Sequence, residues 1–125
     1  MEGPKCVAVV EDDASMSHAL ARVLRLAGYR IATFVSAEAL IREDGGAEAD
    51  CLVLDVQLPG MSGFELRDHL VQAGNLAPVI FITAYDDADA QALAVRAGAL
   101  YLTKPFTGKT LIDAVARALA STVLK

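Results

Sequence analysis

The residues of this sequence that could do chemistry stand at the ends of its apolar segments. An acidic triplet follows the first segment, a single aspartate ends the third, a threonine ends the fourth, and a lysine–proline pair follows the fifth. In chain order these residues are Glu11, Asp12, Asp13, Asp55, Thr83, Lys104 and Pro105. Carboxylates brought close together repel one another, so such a group takes up a proton or a cation. Oxygen ligands without His or Cys suit a hard cation such as Mg²⁺.

Carboxylates, a cation, the ammonium group of Lys104 and the hydroxyl of Thr83 together have the makeup of a phosphoryl-transfer site. Asp55 is the natural acceptor, because it stands alone at the end of a central apolar segment. Each feature alone has a simpler interpretation. Acidic residues often cap helices, a threonine can end any strand, and a residue before proline is merely extended. The prediction therefore rests on the four features occurring together and in this order.

Apolar segments alternate with amphipathic stretches, which predicts five strands and five helices. The strands are expected at residues 6–10, 30–35, 51–55, 78–83 and 99–103. The helices are expected at residues 16–27, 36–41, 62–74, 86–97 and 107–120. Ser62 and Glu65 have the spacing of a capping box at the start of the third helix.

This alternation predicts an α/β fold in which helices cover both faces of a parallel sheet. Right-handed crossovers favour a doubly wound sheet, and five units are too few to close an eight-stranded barrel. The polar residues named above would all lie at the carboxyl ends of the strands. In open α/β sheets, that edge holds the ligand site.

Length and composition limit the classes of function. The 125 residues fit one domain, and a hydrophobic fraction of 54% argues against disorder. The net charge of -5 and the scattered Lys and Arg residues disfavour contact with nucleic acid or anionic lipid within this chain. No apolar segment reaches the roughly 18 residues of a membrane span, and no secretory signal is present, so a cytoplasmic protein is expected. Cys6 and Cys51 are expected to be reduced thiols.

The chain resembles the receiver domains of bacterial two-component response regulators over essentially its whole length. The matching segments are VVEDD at residues 9–13, LDVQLPGMSGFEL at 54–66, FITAY at 81–85 and GALYLTKPF at 98–106, together with the final helix. The resemblance implies a flavodoxin-like fold with five parallel strands in the order 2-1-3-4-5. That order sets the first and third strands side by side, which would bring Asp12 near Asp55.

The resemblance also implies roles for individual residues. Asp55 would be the phosphoacceptor and a ligand of Mg²⁺, the expected cofactor. The further expected roles are Asp12 as principal carboxylate ligand, Glu11 in the outer acidic position, the backbone carbonyl of Gln57 as ligand, Thr83 as switch hydroxyl, Tyr101 as switch aromatic and Lys104 as partner of the phosphoryl oxygens. The peptide bond between Lys104 and Pro105 is expected to be cis.

The implied function is a signalling switch rather than a metabolic enzyme. A sensor histidine kinase or a phosphotransfer protein would supply the phosphoryl group, and the domain would have weak self-phosphorylation and self-dephosphorylation activity. Phosphorylation would shift the surface of the fourth helix, fifth strand and last helix, with a phosphorylation-dependent homodimer as one consequence. Gln57 and Tyr85 are predicted to set the lifetime of the phosphorylated state.

Three alternatives stay open. An aspartate-nucleophile phosphatase would want a second Asp two residues after the nucleophile, where this chain has Gln57. A flavodoxin-like cofactor carrier would want a hydroxyl-rich phosphate loop after the first strand, where this chain has three acids. A receiver-like module that acts without phosphorylation is the third, although the complete set of site residues argues against it.

Some expectations concern the wider chain. Residues 1–125 are expected to form one receiver domain, either alone or as the N-terminal part of a longer regulator. The segment Ser36-Ala37-Glu38 weakly resembles receivers joined to helix-turn-helix DNA-binding domains, and any DNA contact would lie outside these residues. His18 and His69 are expected to have surface or packing roles on helices.

Overall fold

A computed structural model describes residues 3–123, with side chains described as far as residue 120. Five strands and five helices alternate along this part of the chain. The strands are β1 (Cys6–Val10), β2 (Arg30–Phe34), β3 (Cys51–Asp55), β4 (Val79–Ala84) and β5 (Leu100–Lys104). The helices are α1 (Ala14–Leu26), α2 (Ala37–Arg42), α3 (Gly63–Gln72), α4 (Ala88–Arg96) and α5 (Gly108–Val123).

All neighbouring strands pair in parallel, in the order β2-β1-β3-β4-β5. This confirms the predicted α/β class, the doubly wound sheet and its strand order. Successive strand residues face opposite sides of the sheet, so Val7 and Val9 pack in one apolar cluster and Ala8 and Val10 in the other. Helices bury both faces, which is why the central strands are almost wholly apolar.

Most predicted boundaries are confirmed to within one or two residues, and the differences have local causes. The carboxylate of Asp87 accepts a hydrogen bond from the backbone N–H of Ala90 at 3.0 Å, so Asp87 caps α4 and the helix begins later than predicted. Val35 lies outside β2, and Lys104 lies inside β5 rather than after it. Both halves of the capping box between Ser62 and Glu65 are present at α3.

Both cysteines are buried and have free thiols, as predicted. Val7 pairs with Cys51 in the sheet and packs in the same cluster, so the preceding Cys6 faces the opposite side. The sheet itself therefore separates the two sulfur atoms. Burial raises the pKa of the Cys51 thiol to about 12, which keeps it protonated and unreactive at neutral pH.

A close approach at Gly63 positions the end of β3. A Cβ atom on Gly63 would lie 2.5 Å from the carbonyl oxygen of Asp55, so only glycine lets α3 start this close to the strand. His18 and His69 are exposed on α1 and α3, as predicted. No helix within residues 3–123 is long and apolar enough to cross a bilayer.

Candidate functional site

Four elements bring polar side chains to one edge of the sheet. Glu11 directly follows β1, Asp55 ends β3, and Thr83 and Lys104 lie near the ends of β4 and β5. Within the side chains that are described, four polar residues are buried, and three of them are Glu11, Asp55 and Thr83. Burial of polar groups is costly, so their concentration here marks a functional site rather than a packing feature.

Lys104 supplies the positive charge of this cluster. Its Nζ donates a hydrogen bond to Asp55 Oδ2 at 3.0 Å and lies 3.7 Å from Glu11 Oε1. Burial lowers the pKa of Lys104, but the hydrogen bond and charge of Asp55, with the charges of Glu11 and Asp12, raise it by more. The net shift is upward, so Lys104 stays protonated at neutral pH and offsets part of the acidic charge.

Glu11 is the carboxylate of this cluster whose charged form is least favourable. The residue is 2% exposed, and burial, with the nearby charge of Asp55, raises its pKa to about 7 despite a hydrogen bond from the backbone N–H of Asp13. That bond joins Asp13 N to Glu11 Oε2 at 3.1 Å, whereas Oε1 has no hydrogen-bond partner. A buried carboxylate oxygen without a partner calls for a proton or a cation.

The donor set fits a hard divalent cation. Glu11, Asp12 and Asp55 each offer one carboxylate oxygen, and these oxygens lie within 4.8 Å of one another. Asp12 is exposed while the other two are buried, so the group opens towards solvent on one side. Oxygen ligands with an open, hydrated side suit Mg²⁺. Glu11 Oε1 accepts no hydrogen bond and lies 3.7 Å from Lys104 Nζ, which agrees with room for a cation beside it.

Gln57 lies two residues after the end of β3 and is hydrogen-bonded to the same cluster. Its backbone N–H donates to Asp55 Oδ1 at 2.9 Å, so both carboxylate oxygens of Asp55 are held, one by Gln57 and the other by Lys104. The side chain of Gln57 is exposed. Tyr85, in the loop after β4, is 76% exposed. Both side chains are therefore exposed to solvent, and each lies two residues along the chain from a site residue, Asp55 or Thr83.

Thr83 and Tyr101 lie on the same face of the sheet. In the register between β4 and β5, Phe81 pairs with Tyr101 and Thr83 pairs with Thr103. Residues two apart on a strand share a face, so the hydroxyl of Thr83 and the ring of Tyr101 are diagonal neighbours. Thr83 Oγ1 is buried without a hydrogen-bond partner, and Tyr101 is 36% exposed.

The loop after β4 is also held from α4. The side-chain amide of Gln91 donates to the carbonyl oxygens of Ala84 and Tyr85, each at 3.2 Å. The peptide bond between Lys104 and Pro105 is cis, as predicted.

One contact at this edge had no signal in the sequence. Glu38, at the start of α2, hydrogen-bonds to the backbone of Met61, which lies 23 residues away in the loop between β3 and α3. The contact joins separate elements, so spacing along the chain does not reveal it.

The family can now be assigned. A family model described as the response regulator receiver domain matches residues 7–116. The chain therefore belongs to the receiver-domain family of two-component response regulators. Receiver domains are regulatory signalling domains that bind Mg²⁺ at an acidic pocket, and Glu11, Asp12 and Asp55 form such an acidic cluster here.

Individual relatives agree with this assignment. The chain is 37% identical to the response regulator protein TmoT of Ectopseudomonas mendocina, over 89% of this chain and 51% of TmoT. It is 39% identical to the transcriptional regulatory protein TdiR of Thauera aromatica, over 91% of this chain and 51% of TdiR. The solved structure of the response regulator StyR matches with a TM-score of 0.84 and 38% identity, over 94% of this chain and 60% of StyR. The chain thus spans about half the length of these curated relatives.

Proposed function

We propose that this domain is a phosphorylation-activated switch that accepts a phosphoryl group on Asp55 in a Mg²⁺-dependent reaction. One observation carries the proposal. Asp55 is only 4% exposed, yet its carboxylate lies among two further carboxylates and the ammonium group of Lys104 at the ligand edge of the sheet. A structural carboxylate has no need of such a charged cluster, whereas a phosphoryl acceptor does.

The residues of the chain have distinct tasks in this proposal. Asp12, Asp55 and the backbone carbonyl of Gln57 would hold Mg²⁺, with Glu11 in the outer acidic position. When bound there, the ion would supply positive charge to the phosphoryl oxygens. A carboxylate oxygen of Asp55 attacks the phosphorus atom of a phosphohistidine, the P–N bond breaks, and the imidazole nitrogen leaves with the electron pair. Lys104 stabilises the negative charge on the transferring oxygens.

Phosphorylation is then read at the surface. A phosphoryl group on Asp55 offers acceptor oxygens to the unpartnered hydroxyl of Thr83. When Thr83 moves towards it, space opens on the sheet face that Thr83 shares with Tyr101, and the ring of Tyr101 turns inward. The surface of α4, β5 and α5 changes as a result, which alters binding of an output partner or of a second copy of this domain.

The partners follow from the family. A sensor histidine kinase or phosphotransfer protein supplies the phosphoryl group, and residues 1–125 form one receiver domain. Relatives such as TdiR are named transcriptional regulators and are about twice as long as the matched region. The proposed output is therefore control of an effector outside these residues, with no nucleic-acid contact by this domain itself. The domain acts as a cytoplasmic regulator with weak self-phosphorylation and self-dephosphorylation, not as a metabolic enzyme.

The test uses a small phosphodonor. The protein is incubated with acetyl phosphate and either Mg²⁺ or EDTA, and its intact mass is recorded over time. One phosphate-sized adduct is expected with Mg²⁺ and none with EDTA. Absence of the adduct in Mg²⁺ would favour a receiver that acts without phosphorylation. Rapid turnover of the donor without an adduct would instead favour an aspartate-nucleophile phosphatase, for which the exposed Gln57 lacks the acid group.

Lys104→Ala is expected to slow adduct formation by about 100-fold, because it removes a charge aimed at the developing phosphoryl oxygens. Mg²⁺ affinity is not expected to fall, since the substitution removes a cation that competes for the same carboxylates. The rate is measured by intact mass and Mg²⁺ affinity by calorimetry. Lys109→Ala is the matched control, because Lys109 is an exposed lysine on α5 that pairs with Asp113 at 2.8 Å. A parallel loss of Mg²⁺ binding in Lys104→Ala would contradict this role.

Replacing Gln57 and Tyr85 together by Ala is expected to speed loss of the phosphoryl group by about tenfold, equivalent to about 1.4 kcal/mol in the barrier. Both side chains stand in solvent beside the site, so shorter ones would admit the hydrolytic water more easily. The measurement is the decay of the adduct after the donor is removed. Leu76→Ala is the control, because Leu76 is 77% exposed but lies after α3. An unchanged decay rate in the double variant would remove the idea.

A further inference from the structure

The loop between β3 and α3 is held by a carboxylate from a different part of the chain. Glu38 lies in the first turn of α2, and its Oε2 accepts a hydrogen bond from the backbone N–H of Met61 at 2.8 Å. The same oxygen lies over Gly60, where an added Cβ would approach it to 2.6 Å. Gly60 has a φ of 74°, a conformation that favours glycine. The loop backbone and the Glu38 carboxylate therefore fit closely against each other.

The other bonds of this loop come mainly from its two ends. The N–H of Gln57 bonds to Asp55, the N–H of Ser62 bonds to Glu65, and the N–H of Gly63 bonds to the carbonyl of Val56. These bonds lie within the unit formed by β3, the loop and α3. The N–H of Val56 also bonds to the carbonyl of Ile82 at 3.0 Å, which ties the start of the loop to β4. Glu38 instead reaches the middle of the loop from α2. Glu38 therefore fixes the middle of the loop relative to α2, an element outside that unit.

The charge of Glu38 strengthens this contact. The backbone N–H of Met61, with the N–H of Glu38 itself, lowers the pKa of the Glu38 carboxyl, so it is ionised at neutral pH. Hydrogen bonds to a charged acceptor are stronger than those between neutral groups. An acidic residue in the first turn of a helix also interacts favourably with the helix dipole. The helix dipole explains why an acidic residue is favourable at this position. It does not explain why the carboxylate accepts a hydrogen bond from a loop residue 23 positions away.

We propose that Glu38 is a positioning residue for phosphorylation of Asp55: it holds the loop so that the backbone carbonyl of Gln57 stays beside the Asp55 carboxylate. This inference rests on the function proposed above. It also gives a task to the segment Ser36-Ala37-Glu38. Ser36 caps α2 by accepting from Ala39 N at 3.0 Å, which orients the first turn, and Glu38 extends from that turn to the loop.

The contact predicts a graded response in three variants. Glu38→Ala removes the acceptor, Glu38→Asp keeps the charge but is one methylene too short, and Glu38→Gln keeps an acceptor oxygen at the same reach. The Mg²⁺ concentration for half-maximal adduct formation with acetyl phosphate is expected to rise about three- to tenfold in the Ala and Asp variants. It is expected to stay within about twofold of wild type in the Gln variant. Glu43→Ala, at the exposed end of the same helix, should match wild type.

Two further readouts separate the possible failures. Calorimetric Mg²⁺ binding should weaken in the Ala and Asp variants alone, while the melting temperature in EDTA should be similar for all variants. Wild-type Mg²⁺ dependence in Glu38→Ala, or equal impairment in Glu38→Gln, would overturn the positioning role. Absence of any adduct on the wild-type protein would overturn the proposed function instead, and the calorimetry would still test Glu38.

Discussion

Asp55→Ala is expected to abolish the phosphate adduct completely, under conditions in which the wild-type protein is modified by acetyl phosphate and Mg²⁺. The reason is chemical: the substitution removes the carboxylate that accepts a hydrogen bond from Lys104 at 3.0 Å and lies beside Glu11 and Asp12. No neighbouring hydroxyl can take its place, because a neutral threonine is a far weaker nucleophile without an adjacent base. The measurement is intact mass after incubation, followed by peptide mapping of the wild-type adduct.

Two further variants make this result specific. Asp68→Ala changes an exposed aspartate on α3 and should leave the adduct unchanged. Asp55→Asn keeps the shape of the side chain and should also lose the adduct, which guards against a loss caused by misfolding of the Ala variant. An adduct that persists in both Asp55 variants would place the phosphoryl group elsewhere and reject the proposed acceptor.

Without divalent metal, the protein is expected to lose stability as the pH rises through the range in which Glu11 ionises. The pKa of Glu11 is raised from 4.5 to about 7 in the folded protein, mainly by burial. The folded state therefore binds the proton more tightly than the unfolded chain. Its stabilising effect is complete below pH 4.5 and is lost as the pH approaches the folded-state pKa. From about pH 5.5 to about pH 8, this single group should lower the free energy of unfolding by about 2 kcal/mol.

Mg²⁺ should reverse this loss. A cation favours the ionised carboxylates, so its effect on stability should be small at about pH 5.5 and largest at about pH 8. Urea unfolding at both pH values, with EDTA or with Mg²⁺, measures the change. The informative quantity is the difference in this pH dependence between wild type and a variant whose residue 11 cannot bind the proton.

Glu11→Gln supplies that comparison, since an amide does not titrate in this range. Its free energy of unfolding in EDTA should change less with pH than that of wild type, by about 2 kcal/mol over the same interval. Glu43→Gln changes an exposed carboxylate and should keep the wild-type slope. Identical slopes in Glu11→Gln and wild type would show that the Glu11 carboxyl is not held protonated by its burial.

Local sequence patterns were sufficient for the elements and for the place of the site. Apolar segments of strand length alternate with segments of helical periodicity, and this predicts the α/β order. The prediction works because the type of each element depends largely on residues close together in the chain. The capping box of Ser62 and Glu65 is likewise a local device, and the structure contains both of its bonds. Asp55, Thr83 and Lys104 could be assigned to one edge because the carboxyl ends of parallel strands necessarily meet there.

The resemblance to a family added what local patterns leave undetermined. Strand order and the cis bond before Pro105 both came from it, and both are confirmed. Strand order is not readable from periodicity, because the same alternating pattern is compatible with several arrangements of parallel strands.

Sequence alone therefore determined which residues could do chemistry and on which edge of the sheet they stand. Tertiary packing determined their environments: Glu11 is buried and Asp12 is exposed, although they are adjacent acids after the same strand. It also placed Thr83 and Tyr101 on one sheet face and brought Glu38 to the backbone of Met61. Burial, register and contacts between elements depend on how the helices pack against the sheet. That packing is made by residues that are far apart in the chain. A pattern of neighbours along the chain does not contain them.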